Sequence, residues 1–228
     1  MGIDYTKRPG TPAAAQPAAP APGGVSLAKV TLTKTAPTVS LTKHGGNTGL
    51  MAINLNWNAK PQGKGGFFRK NTQLDLDLGC LYEFTDGTKG VVQALGNAFR
   101  ARPRTGSQDL IWLDGDDRSG AVSTGENLFI NLEGLAEIKR VLVFALIYEG
   151  AANWAEAQGL TTITPRGAAP IEIHLDDPQD GARICAIALL TNTNGALTVH
   201  REVNYLNGAQ RKLDEVYGWG MNWTAGRK

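Results

Sequence analysis

The chain has 228 residues, 42% of them apolar, and a formal net charge of +2. This is enough for one large β domain or two small ones with a sizeable core, and the near balance of charge gives no electrostatic case for nucleic acid. Its two cysteines, Cys80 and Cys185, sit in apolar runs without a Cys-x-x-Cys spacing, which argues against thiolate zinc and thiol redox chemistry.

Met1–Arg8 is a short polar and aromatic peptide whose opening fits the loose myristoylation pattern. Pro9–Gly24 is a Pro/Ala/Gly tract that cannot build a core and reads as a semi-rigid spacer. Residues 1–24 are therefore expected to be a disordered peptide and linker, and 25–228 the folded domain. The first segment serves either as a docking tether or as a tail without a partner. No apolar signal region opens the chain and no run is long enough to span a bilayer, so a cytoplasmic location is expected.

Strand patterns follow in order. Val25–Thr33 and Thr38–Thr42 alternate apolar with Thr, Ser and Lys, and Leu50–Trp57 alternates again after the turn at Gly45-Gly46-Asn47. A Gly- and Lys-rich loop at Pro61–Gly66 leads to Leu74–Phe84, then the hairpin signal Thr85-Asp86-Gly87-Thr88 and Gly90–Leu95. Arg100, Arg102 and Arg104 alternate, either to hold an anion or as a solvated face. Leu110–Leu113 and Asn127–Leu132 flank an acidic loop, and Val141–Tyr148 is apolar throughout, as in a strand buried on both faces. Pro170–Leu175, Arg183–Asn192 and Ala196–Tyr205 are further strands, the last two joined by Thr193-Asn194-Gly195. Gln210–Tyr217 reads as a helix with Leu213, Val216 and Tyr217 on one side. Many short strands with Gly/Asn/Asp turns predict an all-β fold, a two-sheet antiparallel β-sandwich with one short C-terminal helix. Trp219 and Trp223 are expected to seal one end of it, the alternative being an exposed aromatic platform.

The chemistry concentrates in the acids. Within Leu74-Asp75-Leu76-Asp77-Leu78, an extended chain sends the leucines to one face and both aspartates to the other. Two adjacent carboxylates repel unless something positive sits between them, although acids also alternate with core leucines on ordinary solvated strands. A second cluster, Asp114-Gly115-Asp116-Asp117, favours a cation. It is not an EF-hand: Arg118 holds the fifth position, Gly125 the twelfth, and neither flank is helical. Brought beside Asp75 and Asp77, the residues Asp114, Asp116, Asp117 and Glu126 would make an oxygen-rich pocket suited to Ca²⁺. Mg²⁺ is the alternative, though it binds through fewer carboxylates and keeps its waters.

In this order the residues resemble the TerD-domain family of tellurium-resistance and stress-response proteins. The resemblance rests on Asp75-Leu76-Asp77, then Gly115-Asp116-Asp117-Arg118-Ser119-Gly120, then Gly125-Glu126-Asn127. Leu81-Tyr82-Glu83-Phe84-Thr85-Asp86-Gly87, Leu146-Ile147-Tyr148-Glu149-Gly150 and Tyr217-Gly218-Trp219-Gly220 give it the flavour of the TerA-like branch. The resemblance implies a Ca²⁺-binding sandwich with Asp75, Asp77, Asp116, Asp117 and Glu126 at the metal. Asp114 and Asn127 would be neighbours, contributing directly or through water. Ala121-Val122-Ser123-Thr124-Gly125 replaces a longer acidic stretch of the TerD branch, so where that branch would hold two ions the resemblance implies one here, or a second held weakly. The family further implies no settled enzymatic activity and a place beside other Ter-type proteins in a membrane-associated complex.

The leading expectation is a non-catalytic Ca²⁺-dependent interaction module. A metal-dependent hydrolase is disfavoured because His44, His174 and His200 share no ligand spacing. A Ca²⁺-dependent lipid or carbohydrate binder would use loop tips, and Lys60, Lys64, Phe67, Phe68, Arg69 and Lys70 cluster in one such loop.

Overall fold

Apolar–polar alternation builds two packed sheets. The computed structural model describes residues 28–58, 74–115, 125–150, 154–179 and 181–224. In chain order the strands are β1 (Val30–Thr31), β2 (Thr38–Ser40), β3 (Leu50–Asn56), β4 (Asp75–Phe84), β5 (Lys89–Val92), β6 (Arg100–Ala101) and β7 (Ile111–Leu113). Then come β8 (Glu126–Asn131), β9 (Ile138–Glu149), β10 (Gly159–Thr164), β11 (Ile171–Leu175), β12 (Ile184–Thr193) and β13 (Ala196–Leu206). One sheet runs β1-β11-β10-β3-β8-β7-β6 and the other β2-β13-β12-β9-β4-β5. The sandwich is antiparallel apart from β1, which pairs parallel to β11. The expected peptide and linker at 1–24, the Pro61–Gly66 loop and the Lys60–Lys70 cluster lie outside the described residues.

The sheets meet over one apolar layer. Met51, Ile53 and Leu55 of β3 and Leu128 and Ile130 of β8 face Leu76, Leu78 and Cys80 of β4 and Val141, Val143 and Ala145 of β9. The β12–β13 hairpin turns at Asn194 (φ 52°) and Gly195 (φ 83°), the two left-handed residues of a type I′ turn, with Asn192 Oδ1 accepting from Gly195 N–H at 2.8 Å. Both cysteines are buried and free, and burial pushes both thiols up, so neither is a ready thiolate.

A third layer covers the second sheet. Leu81, Leu142, Phe144, Ile184 and Ala186 point away from the inter-sheet core and pack against Leu213 and Trp219. This explains why β9 is apolar on both faces. Helix α2 (Gln210–Tyr217), which follows the four-residue α1 (Trp154–Ala157), buries Gln210, Leu213 and Asp214. Val216, expected on the inner side, is instead 46% exposed. The expectation that Trp219 and Trp223 plug an end of the sandwich is corrected: Trp219 is buried over the outer face of a sheet and Trp223 is half-buried beyond it.

Polar latches hold this layer. A register shift at Lys139 sets both Lys139 and Arg140 beside the buried Glu83, with Lys139 Nζ at 2.7 Å and Arg140 Nε at 2.6 Å. Arg140 also donates to the Tyr217 and Gly218 carbonyls at 3.1 Å each and lies 3.8 Å over the Trp219 ring. Trp219 Nε1 donates to Tyr82 O at 2.9 Å, and Asp214 accepts from Gly220 N–H, Met221 N–H and Trp223 Nε1.

Burial alone would raise the Glu83 carboxyl, but hydrogen bonds from Lys139 and Arg140, with the charges of Arg140 and Lys89, outweigh it and hold the group below the usual range. A carboxylate with a lowered folded value stabilises above its unfolded value and stops doing so as pH falls through the folded one. Stability should therefore fall as pH drops below about 4.3. Glu83→Gln is expected to be less stable at pH 7 by on the order of 1.5–3 kcal/mol and to lose less on acidification, as read from urea unfolding between neutral pH and pH 3.

Candidate metal centre

The sequence motifs converge on one end of the sandwich, where β3 and β7 finish, β8 and β4 begin and β9 runs out. Trp57 Nε1 donates to Leu74 O at 3.0 Å, tying the end of β3 in one sheet to the start of β4 in the other. Asp75 and Asp77 open β4 and are only 9% and 7% exposed, while Leu74, Leu76 and Leu78 fill the core as the alternation predicts. Burial of these aspartates sets them apart from acids on an ordinary solvated face. Burying a carboxylate costs several kcal/mol unless cations or hydrogen bonds compensate.

Glu126 is more deeply buried still, at 3% exposure. It starts β8 opposite Leu55, yet its Oε2 crosses to the other sheet and accepts Leu78 N–H at 2.6 Å. β5 pairs with β4 only over Cys80–Glu83, so beyond Cys80 that flank of β4 carries N–H groups past the end of β5. Glu126 takes one of them and so lies against the strand that bears Asp75 and Asp77. The register also sets Glu149 of β9 opposite Asp75, an acid that sequence reasoning passed over although it closes the Leu146–Gly150 motif.

The neck of the acidic loop is clamped. Asp114 N–H donates to Asn127 O at 3.2 Å, and Asn127 Nδ2 donates to Asp114 Oδ2 at 2.9 Å. Asn54 Nδ2 donates to Asn127 Oδ1 at 2.9 Å and orients the amide. With its amide engaged at both ends, Asn127 ties Asp114 to the start of β8 and to β3. Asn54, absent from the sequence reading, was legible only as the cross-strand partner of Asn127. Gly125 has φ 69°, and a Cβ there would collide with the Leu55 carbonyl. Gly125→Ala is therefore expected to cost about 1–3 kcal/mol in a urea melt and to shift the loop's return to β8.

Asp116 and Asp117 lie outside the described residues, so the structure places Asp75, Asp77, Asp114, Glu126 and Asn127 at this end without them. Among the described residues, no three Asp, Glu, His or Cys side chains gather closely enough to hold a metal. The carboxylates of Asp75, Asp77 and Glu126 are hard oxygen donors of the type Ca²⁺ takes. Asp75 and Asp77 lie on the face of β4 away from the core and Glu126 reaches the same strand from the inter-sheet side, so these three would contribute to a metal site only together with further ligands. The histidines do not join them: His44 ends a 3-10 turn, His174 is on β11, and His200 Nδ1 stands 3.0 Å from Glu202.

Over 208 residues, 90% of its length, the chain is 42% identical to tellurium resistance protein TerA of Alcaligenes sp.. Over that span the chain is similar to a TerA-type tellurium-resistance protein. It spans 60% of the length of that curated relative. No family model matches it. The crystal structure of the unknown-function protein SAV2460 is similar with a TM-score of 0.54 at 17% identity, covering 75% of this chain and 98% of that one, which bears on the fold alone. A Streptomyces coelicolor homologue of telluride resistance protein TerD has a TM-score of 0.49 at 18% identity over 73% of this chain and 95% of its own. Among the described residues, no helix is long and apolar enough to cross a membrane.

Proposed function

We propose that this TerA-like chain is a non-catalytic Ca²⁺-binding interaction module. The observation that carries the reading is the burial of Asp75 and Asp77 at the start of β4, with Glu126 laid on the same strand from the opposite sheet. Ca²⁺ would draw the acidic loop, through Asp116 and Asp117, onto that strand. The ordered loop would then present a surface to partners of the same resistance system, other Ter-type proteins, in the cytoplasm. Any membrane association would come through those partners.

Isothermal titration of chelator-treated protein with Ca²⁺, with Mg²⁺ as control, tests this. Saturable Ca²⁺ binding that Mg²⁺ does not reproduce is expected. A flat Ca²⁺ isotherm would remove the ion from the reading and leave the acids as structural groups.

A further inference from the structure

The two sheets differ in what lies on their outer faces. Helix α2 and the tail after it cover the second sheet. The helical segments at Leu132–Glu137 and Trp154–Ala157 bury Leu132, Leu135, Trp154 and Ala157 in the inter-sheet core. Among the described residues, no helix buries apolar side chains on the outer face of the first sheet.

That face is not the polar surface a water-facing antiparallel sheet ordinarily shows. Along β3, β7, β8, β10 and β11 every second residue is buried, and the residues between look outward. The register aligns the outward residues Arg100, Trp112, Phe129, Ala52 and Thr164 in one row across β6-β7-β8-β3-β10. The middle of the row is apolar, and Leu50, 45% exposed, stands beside Ala52 on the same strand face. The Trp112 and Phe129 rings stack on each other at 5.7 Å, and neither joins an apolar cluster of the fold. Each flank carries both signs of charge: Arg100 pairs with Asp109 at 3.3 Å on one, and Lys29 with Glu172 at 2.8 Å on the other. Exposed aromatic rows with a charged rim are the composition of an interface.

We propose that this face packs against the same face of a second copy of the chain, about a two-fold axis running along the strands between β3 and β8. Such an axis lays β8 over the partner's β3, β7 over its β10 and β6 over its β11. Phe129 then seats on the partner's Ala52, and Trp112 on the partner's Thr164, large side chains against small ones in the same row. Arg100 comes to the partner's Glu172, and Lys29 to the partner's Asp109. A two-fold across the strands would stack β8 on β8 and bring the Arg100 flank onto itself, ring against ring. At ordinary strand spacing and rise, six strands of five residues measure about 29 by 17 Å, roughly 490 Å² per copy and about 1,000 Å² for the pair, the small end of specific interfaces. A reversible dimer is therefore expected. The row uses none of the acids of the metal centre.

Sedimentation equilibrium on the full chain over about 1–200 µM tests this, run in chelator so that the calcium reading plays no part. A concentration-dependent dimer mass is expected. Phe129→Arg, a change that faces outward and leaves the core intact, should raise the dissociation constant about thirtyfold or more without lowering the melting temperature. Arg100→Glu and Glu172→Arg should each weaken the dimer, and the two together should bind at least tenfold tighter than either alone. A monomer throughout that range overturns the proposal, and so does a dimer that Phe129→Arg leaves unchanged. A dimer lost in Phe129→Arg but not rescued by the charge exchange overturns the two-fold proposed.

Discussion

Asp75→Asn/Asp77→Asn is expected to abolish Ca²⁺ binding while leaving the sandwich folded. The amides keep the shape of the aspartates and remove the two charges that make the site worth a cation. A ligand that binds only the folded state, present at a hundred times its Kd, stabilises by about 2.7 kcal/mol. The unsubstituted protein should therefore melt higher as Ca²⁺ is added, and the variant should not respond. The Ca²⁺-free comparison is more discriminating. There the variant should be at least as stable as the unsubstituted protein, because relieving repulsion among Asp75, Asp77 and the facing Glu149 offsets any lost hydrogen bonds. Calorimetric melts of both proteins, with chelator and with Ca²⁺, give the four values needed. A variant that melts well below the unsubstituted protein in chelator, with neither responding to Ca²⁺, would make these aspartates structural residues and end the calcium reading.

Trp219→Ala should be the most damaging substitution in the outer layer. The side chain is fully buried, donates to Tyr82 O and carries the Arg140 guanidinium on its ring. Truncating a buried Trp costs about 3–5 kcal/mol. With a urea dependence of ~2–3 kcal/mol per molar, the midpoint should fall by roughly 1–2 M. Trp223→Ala removes a half-buried ring and one donor to Asp214, and the loss should be near 1 kcal/mol. Comparable losses at the two positions would contradict the layer described and restore the picture of a two-tryptophan end plug.

β3 was legible because its burial follows the alternation, β4 because leucine and aspartate alternate in its sequence although both faces are buried, and the β12–β13 hairpin because of its Asn-Gly turn. β10 was not. In Gly159–Thr164 the sheet buries Thr161 and Ile163 and turns Leu160 outward, so the apolar pattern does not follow burial. β6 and α1 are two and four residues long, too short for any period to register. The parallel pairing of β1 with β11 depends on a neighbour more than a hundred positions away. At the metal centre, the acids and the loop could be read from type and spacing. The path of Glu126 to Leu78 N–H could not, because it depends on how two sheets stack and on where β5 stops. Glu149 was hidden for the same reason, since opposing acids are found only once the register is known.

The one-sided outer layer bears on how the protein is made. Leu81, Leu142, Phe144, Ile184 and Ala186 are complete in the chain well before Leu213 and Trp219, which cover them. On a ribosome, the second sheet can assemble while its cover is still inside the exit tunnel. A continuous apolar surface on strand-rich structure is the kind of intermediate that self-associates or recruits chaperones. Residues 207–224 thus have a kinetic role besides their thermodynamic one: their arrival ends the sticky phase of synthesis, and nascent chains stalled before Leu213 should be the aggregation-prone ones.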